Sequence, residues 1–168
     1  MRTSWRPAYV AIGSNLDHPG ERVAEACTHL ETLSETRLEA RSRLYRTRPM
    51  GPQDQPEFVN AAVGLLTRRS PHDMLDALLS IERRMGRIRA ERWGPRVIDL
   101  DLVWMVGATV DDPDLTLPHP GVSMRNFVLY PLSDIAPTLV IPGHGRVASL
   151  KSRVNSDGIS VLEDRGFG

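Results

Sequence analysis

From Arg37 to Leu44 the chain alternates strictly. Leu38, Ala40, Ser42 and Leu44 fall on one side of a two-residue period, with Arg37, Glu39, Arg41 and Arg43 on the other. A strand with one buried and one wet face has that period, and no helix does. Other segments read as strands or helices in turn. Ala8–Ile12 is a buried strand closed by the turn Gly13-Ser14-Asn15. A helix follows, with Pro19 near its first turn and Val23, Ala26, Cys27, Leu30 and Leu33 on one face. A Pro/Gly-rich loop, 47–57, precedes a strand over Phe58–Leu66. Ser70 as cap and Pro71 at the first position start a second helix that runs to about Met85, where Gly86 stops it.

Arg96–Val106 is the longest strand candidate, and Asp111–Pro120, with three prolines, reads as loop. Met124–Ile135 starts as a helix that Pro131 interrupts, and a short helix is expected over Val147–Val154. Short, antiparallel-style connections between alternating elements favour an α+β fold with a mainly antiparallel sheet over a doubly wound one. No repeat or linker divides the chain, and 168 residues suit a single domain over 1–168.

Composition narrows the function. Lys plus Arg equals Asp plus Glu at 21 each, and the three Phe, three Tyr and three Trp offer few stacking platforms, which disfavours a nucleic-acid partner. No stretch is apolar enough to span a membrane. The lone Cys27 excludes an intramolecular disulfide and a thiolate-built zinc site, and it suits a cytoplasmic location. Lys151 is the only lysine, and six arginines (Arg83, Arg84, Arg87, Arg89, Arg92, Arg96) fall within fourteen residues.

Those arginines run into Asp99-Leu100-Asp101. On a strand Asp99 and Asp101 project from one face, their Cα atoms about 6.6 Å apart, two rises of roughly 3.3 Å. Paired carboxylates repel and are costly to desolvate, and magnesium, which binds through one or two carboxylates plus phosphates, resolves the conflict. Spacing alone leaves a second reading open, a solvated pair neutralised by arginines. Guanidinium forks match phosphate oxygens, so arginines beside two carboxylates suit a magnesium-held polyphosphate. No P-loop, protein-kinase signature or H-E-x-x-H is present. His119, in Leu117-Pro118-His119-Pro120, is the histidine expected near the site, with an ordinary loop histidine as the competing reading. Phe58 and Asn60 share a strand face, where a buried Asn can serve the edge of an amide-like heterocycle and Phe its plane; a core Phe with a satisfied Asn is the competing reading.

Together these residues resemble the 6-hydroxymethyl-7,8-dihydropterin pyrophosphokinase family of folate biosynthesis. The resemblance rests on Ala8–Asn15, Tyr45-Arg46-Thr47, Gly51–Pro56, Phe58-Val59-Asn60-Ala61, Glu91–Asp101, Leu117–Pro120 and Arg125–Leu129, most of residues 8–137. It implies a ferredoxin-like α-β sandwich and transfer of the β,γ-diphosphate of ATP to the pterin hydroxymethyl group, releasing AMP. It also implies that Asp99 and Asp101 hold two magnesium ions and that Arg87, Arg96 and Asp101 are catalytic. Thr47, Met50, Phe58, Asn60, Trp93 and Phe127 match the pterin side. Glu82, Arg89, Arg92, Leu102, Thr116, His119 and Arg125 match the ATP side.

The chain departs from the family's best-known members in having Arg48 where proline is common, Phe58 for tyrosine, one residue fewer between Arg89 and Arg92, and Met124 and Asn126 around Arg125. Residues 138–168 carry no motif. The alternatives to this reading are a D-x-D magnesium-dependent nucleotide-sugar transferase and an anion-binding module with structural carboxylates. Neither needs a heterocycle pocket. A monomer is expected, with Gly86–Pro95 as a lid that orders over both substrates.

Overall fold

In the computed structural model, residues 4–16, 18–49, 54–86 and 97–162 are described. The chain runs β1 (Arg6–Ser14), α1 (Pro19–Glu31), β2 (Thr36–Arg41), β3 (Tyr45–Thr47), β4 (Phe58–Thr67), α2 (Pro71–Arg84) and β5 (Asp99–Met105). There follow the hairpin β6 (Val110–Asp111) and β7 (Thr116–Leu117), a 3-10 turn at Val122–Met124, and α3 (Asn126–Ile135). The hairpin β8 (Val140–Ile141) and β9 (Gly145–Arg146), α4 (Val147–Arg153) and β10 (Ile159–Val161) complete it. The main sheet has the order β10-β3-β4-β1-β5, with β2 also paired to β4, and every pairing is antiparallel. This is the α+β class with an antiparallel sheet that the short connections predict.

At the sheet's centre β1 and β4 pair over nine residues, Arg6 opposite Thr67 through Ser14 opposite Val59. Side-chain alternation then sorts the two faces. Ala8, Val10 and Ile12, with Ala61, Val63 and Leu65, are buried on the face covered by α1 and α2. Tyr9, Ala40 and Gly64 lie on the other, where a Cβ added to Gly64 would meet Tyr9, Ala40 and Ile135 of α3 at 3.5–3.8 Å. α4 packs on α3. The predicted helix start at Ser70 is present, its hydroxyl accepting from the Asp73 N–H at 3.2 Å, and Gly86 follows α2 with φ +87°.

Four expectations change. The alternating strand stops at Arg41, with a register shift between Leu38 and Ala40. Ser42 then bridges to β3 by stitching itself to β4: its N–H donates to the Ala62 carbonyl at 2.9 Å and its hydroxyl accepts from the Ala62 N–H at 2.8 Å. Secondly, α3 runs through Pro131. The proline removes only the donor that would serve the Phe127 carbonyl, and burial of Val128, Leu129 and Leu132 offsets that single bond. Thirdly, part of the expected loop 111–120 forms the β6–β7 hairpin, anchored by buried Leu115 and Leu117, with Pro113 in the turn where no ladder donor is needed. Finally, β5 begins at Asp99, and Arg96 lies outside the described residues.

Candidate active site

Register across the sheet builds the site. Tyr45 of β3 stands opposite Asn60 of β4, Asn60 opposite Gly13 of β1, and Gly13 opposite Asp99 of β5. Residues in register on neighbouring strands share a face, so these four form one row under the α3 side. Thr47 and Phe58 form the next row outward, and Ala62, Ala11 and Asp101 the next row inward. Asn60 and Asp99 are thus two strands apart, about 10 Å at the usual strand spacing, with only a glycine between them. Gly13 has no side chain, and the room this leaves is taken by the Asn60 amide.

That glycine is required. A Cβ at Gly13 would lie 2.8 Å from Asn60 Nδ2 and 3.8 Å from Phe58 Cδ1. Asn60 is 7% exposed and Thr47 3%, and the Thr47 hydroxyl donates to Asn60 Oδ1 at 2.6 Å. The carbonyl end of Asn60 is therefore engaged, and its amide end is turned toward Gly13. Phe58, half-buried, borders the same space.

The two carboxylates occupy one face of β5, as their spacing requires: Asp99 and Asp101 are half-buried while Leu100 and Leu102 are buried behind them. Glu82 of α2, 3% exposed, accepts from the Leu100 N–H at 2.7 Å, so its carboxylate caps the outer edge of β5 between the two aspartates. Leu102 pairs with Val10 and belongs to the core on the opposite face from Asp99 and Asp101. Thr116 is exposed on β7.

His119 extends the same edge, its N–H donating to the Val103 carbonyl at 2.9 Å. Its Nδ1 accepts from the Gly121 N–H at 3.1 Å, which leaves Nε2 as the protonated nitrogen of the neutral ring. Burial, reinforced by the positive charge of Arg125 and opposed by Asp99, holds the imidazole below its ordinary pKa. His119, Arg125 and Asp99 are therefore electrostatic neighbours. Gly121 admits the Arg125 side chain, because a Cβ there would lie 2.8 Å from Nε. The Arg125 guanidinium carbon in turn sits 5.8 Å from the Phe127 ring centroid. Phe127 enters on the first turn of α3, over the face that carries Asn60 and Asp99.

Thr47, Phe58, Asn60, Asp99 and Asp101 are thus brought to one face. Met50, Arg87, Arg89, Arg92, Trp93 and Arg96, and with them the expected lid, lie outside the described residues. Sequence reasoning read Gly13-Ser14-Asn15 as a closing turn, whereas β1 runs through Ser14, with Gly13 and Ser14 paired to β4 because Asn60 and Val59 supply ladder partners. Ser14 is fully buried and donates to the Val97 carbonyl just ahead of Asp99. Asn15, 1% exposed, donates to Gln55 Oε1 and the Pro56 carbonyl, both at 2.9 Å, and so anchors the segment leading to Phe58. Two polar residues, Ser14 and Asn15, at the end of a buried strand, with Gln55-Pro56 ahead of the next, were the available signal.

The description 7,8-dihydro-6-hydroxymethylpterin-pyrophosphokinase (HPPK) applies to the family that matches residues 9–137. A 2-amino-4-hydroxy-6-hydroxymethyldihydropteridine pyrophosphokinase of Pseudomonas aeruginosa is 46% identical over 154 residues, covering 92% of this chain and 95% of its own. The protein of the same name from Methylorubrum extorquens is 46% identical over 156 residues, covering 93% and 98%. Among solved structures, the Plasmodium falciparum HPPK-DHPS with pterin and p-hydroxybenzoate superposes with a TM-score of 0.71 at 16% identity, over 89% of this chain and 43% of that longer one. That likeness carries the fold, a helix-covered antiparallel sheet of the ferredoxin-like kind. The row of Asn60, Gly13 and Asp99 lies within the matched region, and near-complete coverage of both bacterial relatives accounts for the rest: the chain belongs to the 7,8-dihydro-6-hydroxymethylpterin-pyrophosphokinase family.

Proposed function

We propose that this chain transfers the β,γ-diphosphate of ATP to the hydroxymethyl oxygen of 6-hydroxymethyl-7,8-dihydropterin. A bond forms between that oxygen and the β-phosphorus, the bond from the β-phosphorus to the α,β-bridging oxygen breaks, and the hydroxyl proton is lost. The products are AMP and the pterin diphosphate ester. The observation that carries this reading is the single row of the sheet: an oriented Asn60 amide and an Asp99 carboxylate on either side of Gly13. That separation suits a planar polar ring at one end and a polyphosphate at the other.

Asn60, held by Thr47, presents its amide to the pterin edge, and Phe58 and Phe127 flank the ring, with Met50 and Trp93 completing the pocket. Asp99 and Asp101 fit magnesium by their chemistry, being two hard oxygen donors on one strand face. Magnesium would take its remaining ligands from phosphate and water. Bound there, two magnesium ions would neutralise triphosphate charge. Arg125 and His119 line the ATP side with Thr116, Leu102 packs behind the strand from the core face, and Glu82 steadies the β5 backbone between the carboxylates. Arg87 and Arg96 act on the transferring charge, with Arg89 and Arg92 as further phosphate contacts.

Residues 1–168 act as one domain and as a monomer in the cytoplasm; no helix among the described residues is long and apolar enough to cross a membrane. Incubation with ATP, magnesium and hydroxymethyldihydropterin, followed by nucleotide chromatography, tests the reaction. Stoichiometric AMP is expected, and stoichiometric ADP would overturn it.

A further inference from the structure

The segment after α4 carries no sequence motif, yet it touches both walls of the site. β10 pairs with β3, Ile159 opposite Thr47, Ser160 opposite Arg46 and Val161 opposite Tyr45. The pairing is extended at both ends: the Arg48 N–H donates to the Gly158 carbonyl at 3.1 Å, and the Leu162 N–H to the Leu44 carbonyl at 2.9 Å. β3, which carries Thr47, is thereby an internal strand with both of its edges bonded.

The other end of the segment is held by the helix that carries Phe127. Asn126, the first residue of α3, donates its side-chain amide to two backbone carbonyls, Asn155 at 2.8 Å and Asp157 at 3.2 Å. Asn155 Oδ1 accepts from the Asp157 N–H at 2.7 Å, closing the turn so that both carbonyls meet one amide. Gly158 then redirects the chain with φ +76°, and a Cβ there would fall on the Arg48 guanidinium.

A continuous bonded path therefore runs from Phe127's helix through Asn126, the turn 155–158 and β10 to Thr47 and on to Asn60. We infer that residues 155–161 form a strap that sets the separation of the two walls of the pterin pocket, with Asn126 as its positioning residue. The inference rests on the pterin reading of that pocket. Asn126 touches no reacting group. Its effect reaches the ligand through the placement of α3 against β3, a form of pre-organisation that lowers the ordering needed on binding.

Two variants act on opposite ends of the strap. Asn126→Asp is isosteric but sets a carboxylate against two carbonyl oxygens. Gly158→Ala forces a side chain into a left-handed backbone and onto Arg48. Pterin affinity is measured by calorimetry on the full-length chain, and ATP affinity is measured separately with magnesium and a non-hydrolysable analogue. Both variants should weaken pterin binding roughly 3- to 10-fold, comparable to re-ordering about one side chain on binding, with ATP affinity unchanged. KM for pterin should rise with kcat at saturation unchanged. Asn126→Ser, which keeps a donor, should recover part of the loss. Wild-type pterin affinity in both variants, or equal losses for pterin and ATP, would overturn the strap while leaving the pocket assignment standing. Absence of pterin binding by the wild-type chain would overturn the pocket assignment itself, and the strap with it.

Discussion

The Thr47 hydroxyl and the Asn60 side-chain carbonyl lie 2.6 Å apart, both nearly excluded from solvent, so the orientation of the Asn60 amide is set before any ligand arrives. An unconstrained Asn amide can present either its oxygen or its nitrogen to a heterocycle. Here the threonine donor selects the oxygen for itself and leaves the nitrogen for the ligand. Asn60→Ala should weaken pterin binding by about 1–3 kcal/mol, roughly 5- to 150-fold, with little effect on ATP, because polar groups of a buried ring lose their partner. Thr47→Val keeps the shape and removes the donor, so a smaller loss, about 2- to 10-fold, is expected. Separate titrations of the two ligands decide it, and equal losses for both would make the pair structural.

Gly13→Ala tests the open row. The added methyl would sit 2.8 Å from Asn60 Nδ2, so the amide must move away from the space it faces. Pterin binding should fall by at least as much as in Asn60→Ala, while the β1–β4 backbone pairing tolerates alanine and the chain still folds cooperatively. A variant that binds pterin like wild type would show that this row is not the pocket.

Asp99→Ala and Asp101→Ala should each abolish turnover with the fold intact, since both side chains are half-buried on a strand face and pack little of the core. Glu82→Ala should behave in the opposite way. It leaves the buried Leu100 N–H without the carboxylate that serves it, at a cost of about 1–3 kcal/mol in stability. Urea unfolding and steady-state assays on the three variants separate the two classes. An active Asp101→Ala enzyme would remove the metal assignment.

Acid stability should depend on Asp134. Burial pushes its carboxyl up, but hydrogen bonds from Arg43 and Tyr45 and the Arg43 charge outweigh burial and hold it below the ordinary 3.8. A carboxyl depressed in the folded state contributes stability above its unfolded value and loses it as pH falls through the folded value. Asp134→Asn should therefore cost about 1–3 kcal/mol at pH 6, nearer the lower figure because Arg43 is largely exposed and screened. The difference from wild type should close below about pH 4. Chemical denaturation at several pH values would reveal a constant gap if the effect were packing alone.

Cys27 should be inert. It is fully buried on α1, and burial, weakly opposed by Arg41, pushes its thiol up to about 11. Thiol reagents at pH 8 should label it only as fast as the chain unfolds. Rapid stoichiometric labelling of the native protein would contradict the packing of α1.

Apolar runs and the helical period by themselves determined the elements that need no distant partner to be read: β1, β4, α1, α2 and the strand carrying Asp99 and Asp101. Local chemistry also sufficed for the cap at Ser70 and the stop at Gly86, because each of those signals involves neighbours in the chain. The separation of Asn60 from Asp99 was not legible, since it depends on which strands lie beside β1 and in what register. Gly13 looks like any turn glycine until those neighbours are in place. Pro131 inside α3 and the strand Ile159–Val161 were decided in the same way. A helix through proline is tolerated only when long-range burial outweighs a lost bond, and a three-residue strand exists only because β3 offers an edge. Residues that answer to partners far along the chain become readable only when the fold has brought those partners into reach.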